Sequence, residues 1–239
     1  MSSLLPLLVV GFIAFAIAWW RARSQAIGRL TDSITRLRAI VARPTRRRPA
    51  AASHPVLQRR AAQYEQFARD LASDGGVVLG DSEEIQPDGS SAGVTRWFRD
   101  RTGQVTGWYA VVEHPSATIP AMYILSELVP TTFFVTHQST VNRVVAAPPT
   151  VVREHLAPGQ PVQAVLALHR QRLPAGANAL TVGTIEEAQA MVDRLRSHIQ
   201  EWRTRQDQDQ LIDLDLRSVL GAQYDRVGPA VARRIRQRP

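Results

Sequence analysis

The chain of 239 residues contains no cysteine and no lysine. Without cysteine, disulfide bonds and thiolate metal ligands are excluded. The absence of cysteine agrees with a cytoplasmic domain, which has no use for disulfides, although many exported domains also lack disulfides. All 29 basic residues are arginine, a bias that is typical of GC-rich coding when alanine and proline are also abundant. We draw no mechanism from it.

The motifs that identify common enzymes and cofactor sites are also missing. The sequence has no Gly-x-Ser-x-Gly elbow, no Gly-x-Gly-x-x-Gly loop and no Gly-x-x-x-x-Gly-Lys-Ser/Thr loop. No two of its six histidines stand three or four residues apart, and residues 207–215 lack the glycine and distal glutamate of a calcium loop. The sequence therefore predicts neither a metal site nor a cofactor.

Charge is missing altogether from residues 3–20, an apolar run of 18 residues that ends at Trp19 and Trp20. A helix of this length spans about 27 Å, close to the roughly 30 Å hydrocarbon core of a bilayer. A cleaved signal peptide is the weaker alternative, because no basic residue precedes the run. A buried soluble helix this apolar would need covering on every face. We therefore predict a transmembrane anchor over residues 1–20.

The arginines that follow the anchor predict its orientation. Residues 21–60 contain eleven arginines against a single acid, Asp32. Positive charge collects on the cytoplasmic side of membrane helices, so we expect the N-terminus outside and the C-terminal part in the cytoplasm. Arginines on that side are also expected to contact anionic lipid headgroups. The predicted lipid-facing residues are Arg21, Arg23, Arg29, Arg36, Arg38, Arg46, Arg47 and Arg48.

Charge is segregated along the remainder of the chain. Residues 61–225 hold 13 arginines and 20 acids, a net charge of −7, whereas residues 226–239 carry +5. We predict that residues 223–239 form a basic tail. Nucleic-acid binding typically uses basic residues spread over a folded face with aromatic residues between them. Contact of the tail with nucleic acid is therefore the less favoured alternative to contact with lipid.

A narrow apolar stripe follows the anchor with alternating spacings of three and four residues. This period predicts a helix with one apolar seam, which either pairs with a second copy of the chain or lies on the membrane surface. Pro44 ends the helix, and residues 44–55 read as a stiff, solvated linker. Residues 21–55 thus form a basic juxtamembrane segment. The seam consists of Ile27, Leu30, Ile34, Leu37 and Val41.

Residues 56–222 have the pattern of one α+β domain with a mostly antiparallel sheet and flanking helices. Two helices are expected at its ends, one over 55–73 and one after the capping box Thr184-Ile-Glu-Glu187. A further helix is expected over 211–221, and an exposed loop over 81–92. The first predicted strand begins at Val77, and the others cover 94–98, 105–113, 120–125, 131–136, 141–145 and 162–168.

The candidate catalytic residues lie at the ends of predicted strands. His114 and His137, together with Glu113 and Ser139, would supply a general base and a hydroxyl if they shared one rim of the sheet. Polar residues at strand ends are also common because they form the turns between strands, without any catalytic role. The leading hypothesis is therefore a membrane-anchored protein whose α+β domain acts by binding or scaffolding. A membrane-tethered enzyme that uses these four residues is the alternative.

Overall fold

The computed structural model describes residues 4–42, 46–85, 89, 91–114, 117–139 and 145–237. Contacts divide the chain into two compact units. The helical unit comprises Met1–Arg43, Arg143–Ala146 and Arg203–Pro239, and the sheet unit comprises Pro44–Asn142 and Ala147–Trp202. The predicted segments 56–222 and 223–239 follow a different division, because Arg203 and the residues after it belong to the helical unit.

Within the described residues of the sheet unit, seven strands form one sheet, and their order in the sheet follows their order in the chain. Every neighbouring pair is antiparallel except the last, which is parallel. The mostly antiparallel α+β fold is therefore confirmed. The strands are β1 (Arg46–Pro49), β2 (Val77–Ile85), β3 (Ser91–Arg99), β4 (Thr106–His114), β5 (Ala117–Leu128), β6 (Thr132–Gln138) and β7 (Val151–Leu156).

The described residues contain seven α-helices. They are α1 (Leu4–Ala42), α2 (Pro55–Arg59), α3 (Ala61–Ser73), α4 (Val162–Arg172), α5 (Ile185–Thr204), α6 (Gln208–Leu220) and α7 (Tyr224–Arg236). The capping box at the start of α5 is confirmed: the Glu187 amide donates to Thr184 Oγ1 at 3.2 Å, and the Thr184 amide donates to a Glu187 carboxylate oxygen at 3.1 Å. Two orphan amides at this helix end are thereby satisfied.

Helices α3 and α4 cover one face of the sheet. Phe67 and Leu71 on α3 meet Phe98, Ile124 and other strand residues in one buried cluster, which Leu166 of α4 also enters. Helix α5 contacts the opposite face, where Arg194 pairs with Glu127 of β5 at 2.7 Å. The alternation of side chains along β5 explains the division, because Ile124 and Glu127 point to opposite faces.

Several predicted elements of the sheet unit were wrong. The stretch 162–168 is helical, since Val162, Val165, Leu166 and His169 have the spacing of one helix face and all are buried. The predicted linker contributes strand β1, which pairs with β2. The predicted loop over 81–92 instead contains the end of β2 and the start of β3. The strand expected over 141–145 lies largely outside the described residues.

Helix α1 runs without interruption from Leu4 to Ala42, so the predicted anchor and juxtamembrane segments belong to one helix. Its side chains are described from Trp20 to Ala39. Within the part of the chain that the structure describes, no helix combines the length and apolarity of a membrane span.

The apolar seam of α1 packs inside the helical unit. Ile34 is fully buried with Ile212 and Leu216 of α6 and Val231 of α7. Ile27 and Leu30 pack against the same cluster, Leu37 is half-buried, and the Val41 side chain lies outside the description. The sequence predicted that this seam pairs with a second copy of the chain or lies on the membrane surface; in the structure, α6 and α7 supply a core for it. The seam therefore gives no reason to propose an oligomer.

The residues predicted to form a basic tail include the whole of helix α7. Its inner face is small or apolar, as shown by the buried Gly228, Val231 and Ala232. Two of its arginines are engaged within the unit: Arg234 donates to Ser24 of α1, and Arg236 pairs with Asp209 of α6 at 2.8 Å. This helix belongs to the folded unit and closes over α1 and α6.

Truncating the central seam residue should weaken the helical unit. Ile34→Ala leaves a cavity at a fully buried site, so we expect the free energy of opening to fall by about 2–5 kcal/mol. Hydrogen exchange of the α6 and α7 amides measures this change. The matched control is Arg36→Ala, on the exposed side of the same helix, which should change it by less than about 0.5 kcal/mol. Equal effects of the two variants would contradict this packing.

Candidate functional site

The four predicted catalytic residues do not share one rim of the sheet. His137 lies opposite Tyr123, which in turn lies opposite Trp108, so His137 is level with Trp108. His114 stands six residues farther along β4, with Glu113 beside it, and six residues of strand span about 20 Å. The geometry required for the predicted general-base chemistry is therefore not formed by the strand register.

His137 belongs instead to a row of rings that crosses five strands. Each strand from β3 to β7 contributes one ring directly opposite the next, with centroid separations of 4.6–5.6 Å. His137 is 2 % exposed, and the Ser139 carbonyl oxygen lies 2.9 Å from Nε2 of His155. Cross-strand ring pairs of this kind stabilise a sheet. The row consists of Trp97, Trp108, Tyr123, His137 and His155.

A cleft opens on the other face of the sheet, between α3 and the segment that leads into α4. Its volume is about 360 Å³, within the usual range for sites that hold a small molecule or a side chain of a partner. Its floor is apolar, because the rings of Phe67 and Tyr109 stack at 4.5 Å with 8° between their planes and Met122 is buried beside them. Burial raises the pKa of the Tyr109 hydroxyl.

Uncharged amide side chains dominate the rim of the cleft. Gln63 and Gln66 come from α3, and Gln138 and Gln160 stand on the opposite side. Asp70 is the single ionisable carboxylate among the residues that line the cleft, and Gln66 Nε2 donates to it at 2.7 Å. This lining suits binding of an uncharged group through stacking and amide hydrogen bonds.

Hydrogen bonds hold both walls of the cleft in place. The Gln138 amide nitrogen donates to the carbonyl oxygens of Ala157 and Gln160 at 3.2 and 3.1 Å, which fixes the loop before α4. Gln163 of α4 donates to the Asp70 carbonyl oxygen at 2.7 Å and to the Ser73 hydroxyl at 2.9 Å, which ties α4 to α3. The cleft is therefore preorganised, so a ligand pays little to order it.

Helix α4 carries a buried histidine. His169 is fully buried, with Nε2 3.1 Å from the Ser126 hydroxyl and Nδ1 2.8 Å from the Thr136 hydroxyl. Ser126 gives its proton to the Gln104 carbonyl oxygen, so Nε2 must carry the ring proton and donate to Ser126. Thr136 then donates to Nδ1. Burial lowers the pKa of His169 to about 3, and the charges of Arg172 and Arg170 act in the same direction.

The predicted lipid-facing arginines have unequal environments. Arg47 lies 5.5 Å from the centroid of the Trp97 ring and pairs with Asp193 at 3.0 Å. Arg48 pairs with Glu83 at 2.6 Å, and Arg38 pairs with Asp215 at 3.1 Å. These three arginines have partners inside their own units. The exposed members of the predicted set are Arg21, Arg23, Arg29, Arg36, Arg46 and Arg48.

The described residues contain no group of three or more histidines, aspartates or glutamates able to hold a metal ion. Comparison with protein-family models, with curated proteins and with solved structures finds no match to this chain. The sequence did not predict the cleft, because the residues that line it come from α3, three strands and a loop, and none of these segments carries a local motif.

Acidification should weaken the sheet unit through His169. Its folded-state pKa of about 3 lies below the ordinary 6.5, so the unfolded chain binds the extra proton between these values. The stability that neutral His169 provides is therefore complete above pH 6.5 and declines as the pH falls toward 3, with a slope approaching about 1.4 kcal/mol per pH unit.

The test is to compare the full chain with His169→Gln by urea titration between pH 7.5 and 4.5, following tryptophan fluorescence. The difference in the free energy of unfolding should shrink as the pH falls. Val165→Ala, a change at a fully buried position on the same helix, is the control and should cost the same at every pH. A constant difference for His169→Gln would refute the argument.

Proposed function

We propose that this chain is a single-pass membrane protein that uses its N-terminal helix as an anchor and its sheet unit to bind a partner on the cytoplasmic side. The observation that supports the anchor most strongly is the uncharged run over residues 3–20, which is followed at once by arginines. A run of this length matches the hydrocarbon thickness of a bilayer. The excess of arginine after the run supports a cytoplasmic C-terminal part.

The continuity of α1 also supports this proposal. The helix has 39 residues, about 58 Å at 1.5 Å per residue, whereas the apolar run accounts for about 27 Å of that length. The remaining part of the helix carries the seam that packs against α6 and α7. One helix would then join the anchor to a folded unit with no flexible joint between them.

The cleft between α3 and α4 supports a binding role for the sheet unit. Its stacked floor and amide rim can accept an apolar group flanked by hydrogen-bonding groups, as a protein segment provides. The catalytic alternative has no support in the strand register, which separates His114 from His137. The alternative of nucleic-acid contact through the C-terminal arginines also has less support, because Arg234 and Arg236 bind partners within the helical unit.

Topology is the first test of the proposal. A reporter fused after Pro239 should behave as cytoplasmic, because the arginine excess lies almost wholly after Trp20. The mature chain should retain residues 1–20, as N-terminal sequencing or mass spectrometry would establish. Recovery of a secreted or periplasmic species that begins near Trp19 would contradict both the anchor and its orientation.

Site-specific crosslinking tests the binding role of the cleft. A photoreactive amino acid at Gln63, on the rim, should give a discrete adduct in native cells. The same group at Glu65, exposed on α3 but outside the cleft, serves as the control and should give none. Adducts of equal yield at both positions, or none at Gln63, would show that the cleft does not hold the partner.

A further inference from the structure

A second groove lies in the helical unit, between the start of the described part of α1 and the end of α7. Its volume is about 440 Å³, and its lining includes Trp20, Arg23 and Ser24 from α1 and Arg233 and Arg234 from α7. Three arginines therefore line one groove, and no aspartate or glutamate is among the residues that line it. A groove with this charge is suited to an anion.

Arg234 is held in position by α1. Its two terminal nitrogens donate to the Ser24 carbonyl oxygen at 3.0 Å and to the Ser24 hydroxyl at 2.8 Å. A guanidinium has five N–H donors, so these two bonds leave donors for a ligand. Gly28 allows this approach, since a Cβ there would come within 3.2 Å of the Arg234 guanidinium. The cationic wall is thus prepositioned by a contact between the two helices.

The groove begins where the apolar run ends. Trp20 is the last residue of that run and is 66 % exposed. Arg23 and Ser24 follow within about one helical turn, which is about 5 Å along the axis. In the proposed membrane orientation, tryptophan lies at the level of the headgroups, with arginine just beyond it. Arg233 and Arg234 are brought to the same level by α7.

We propose that this groove binds the phosphate of an anionic phospholipid from the cytoplasmic leaflet. The inference rests on the proposed membrane anchoring, because the bilayer supplies the lipid. Arginine forms charge-assisted, bidentate hydrogen bonds to phosphate, while the indole N–H of Trp20 can donate to headgroup oxygens. A bound headgroup would link α7 to the membrane and hold the helical unit against its surface.

Native mass spectrometry of the full chain in a neutral detergent tests this inference. The probes are dioleoylphosphatidylglycerol, dioleoylphosphatidylcholine and inorganic phosphate. We expect the first lipid to bind about 5- to 10-fold more tightly than the second, because its headgroup carries no compensating cation. Millimolar inorganic phosphate should leave the bound lipid in place. Displacement by inorganic phosphate would assign the groove to a free anion and overturn the lipid assignment.

Arg233→Gln is the decisive variant, because Arg233 is exposed and its loss leaves the Arg234–Ser24 contact intact. It should weaken phosphatidylglycerol binding about 5- to 10-fold, as expected for the loss of a charge-assisted hydrogen bond. Arg226→Gln removes the same charge from an exposed site on α7 outside the groove and should change binding less than about 2-fold. Equal losses would show that net charge alone attracts the lipid.

Fractionation of cells that express the parent chain or Arg233→Gln distinguishes a failure of this inference from a failure of the proposed anchoring. If Arg233→Gln and the parent chain both stay in the membrane through alkaline carbonate extraction, the anchor is upheld whatever the lipid result. Membrane retention without a preference for phosphatidylglycerol would overturn the groove assignment alone. Release of the parent chain by carbonate would overturn the anchoring, and with it the source of the proposed ligand.

Discussion

The helical unit depends on one buried carboxylate. Asp215 of α6 is fully buried, and its oxygens accept two bonds from Arg203 at 2.6 and 2.8 Å and one from the Ala146 amide at 2.8 Å. Arg38 of α1 reaches the same carboxylate at 3.1 Å. One side chain thereby joins four separate stretches of the chain. Removing it would leave two arginines without their counterion, which costs about 3–5 kcal/mol for a buried pair.

This interaction makes the basic segment that follows the proposed anchor part of the fold. Arg38 and the apolar seam are used for folding, so the segment is an integral part of a three-helix unit. Other arginines of α1, such as Arg29 and Arg36, remain exposed. The same segment thus packs its apolar side inside the unit and presents arginines to solvent on its exposed side, as an amphipathic helix does.

Local signals in the sequence predicted structure well, whereas distant pairings were hidden. The capping box at Thr184 acts within one helical turn and was confirmed, and the helix expected over 211–221 ends at Leu220 with Gly221 as its C-cap. The partners of Ile34 stand about 180 residues away, and no local pattern announces them. Strand β1 was missed because Arg46–Pro49 has the composition of a linker, and its strand conformation depends on β2.

Helix α1 is expected to extend from the proposed anchor into a unit that α6 and α7 close. Spin labels on cysteines at the exposed positions Arg29 and Arg226 test it directly, since the chain has no other cysteine. In bilayers, we expect one narrow distribution of distances between the two labels, which broadens when Asp215→Asn removes the shared counterion. A broad distribution in the parent chain, or one that Asp215→Asn leaves unchanged, would contradict it.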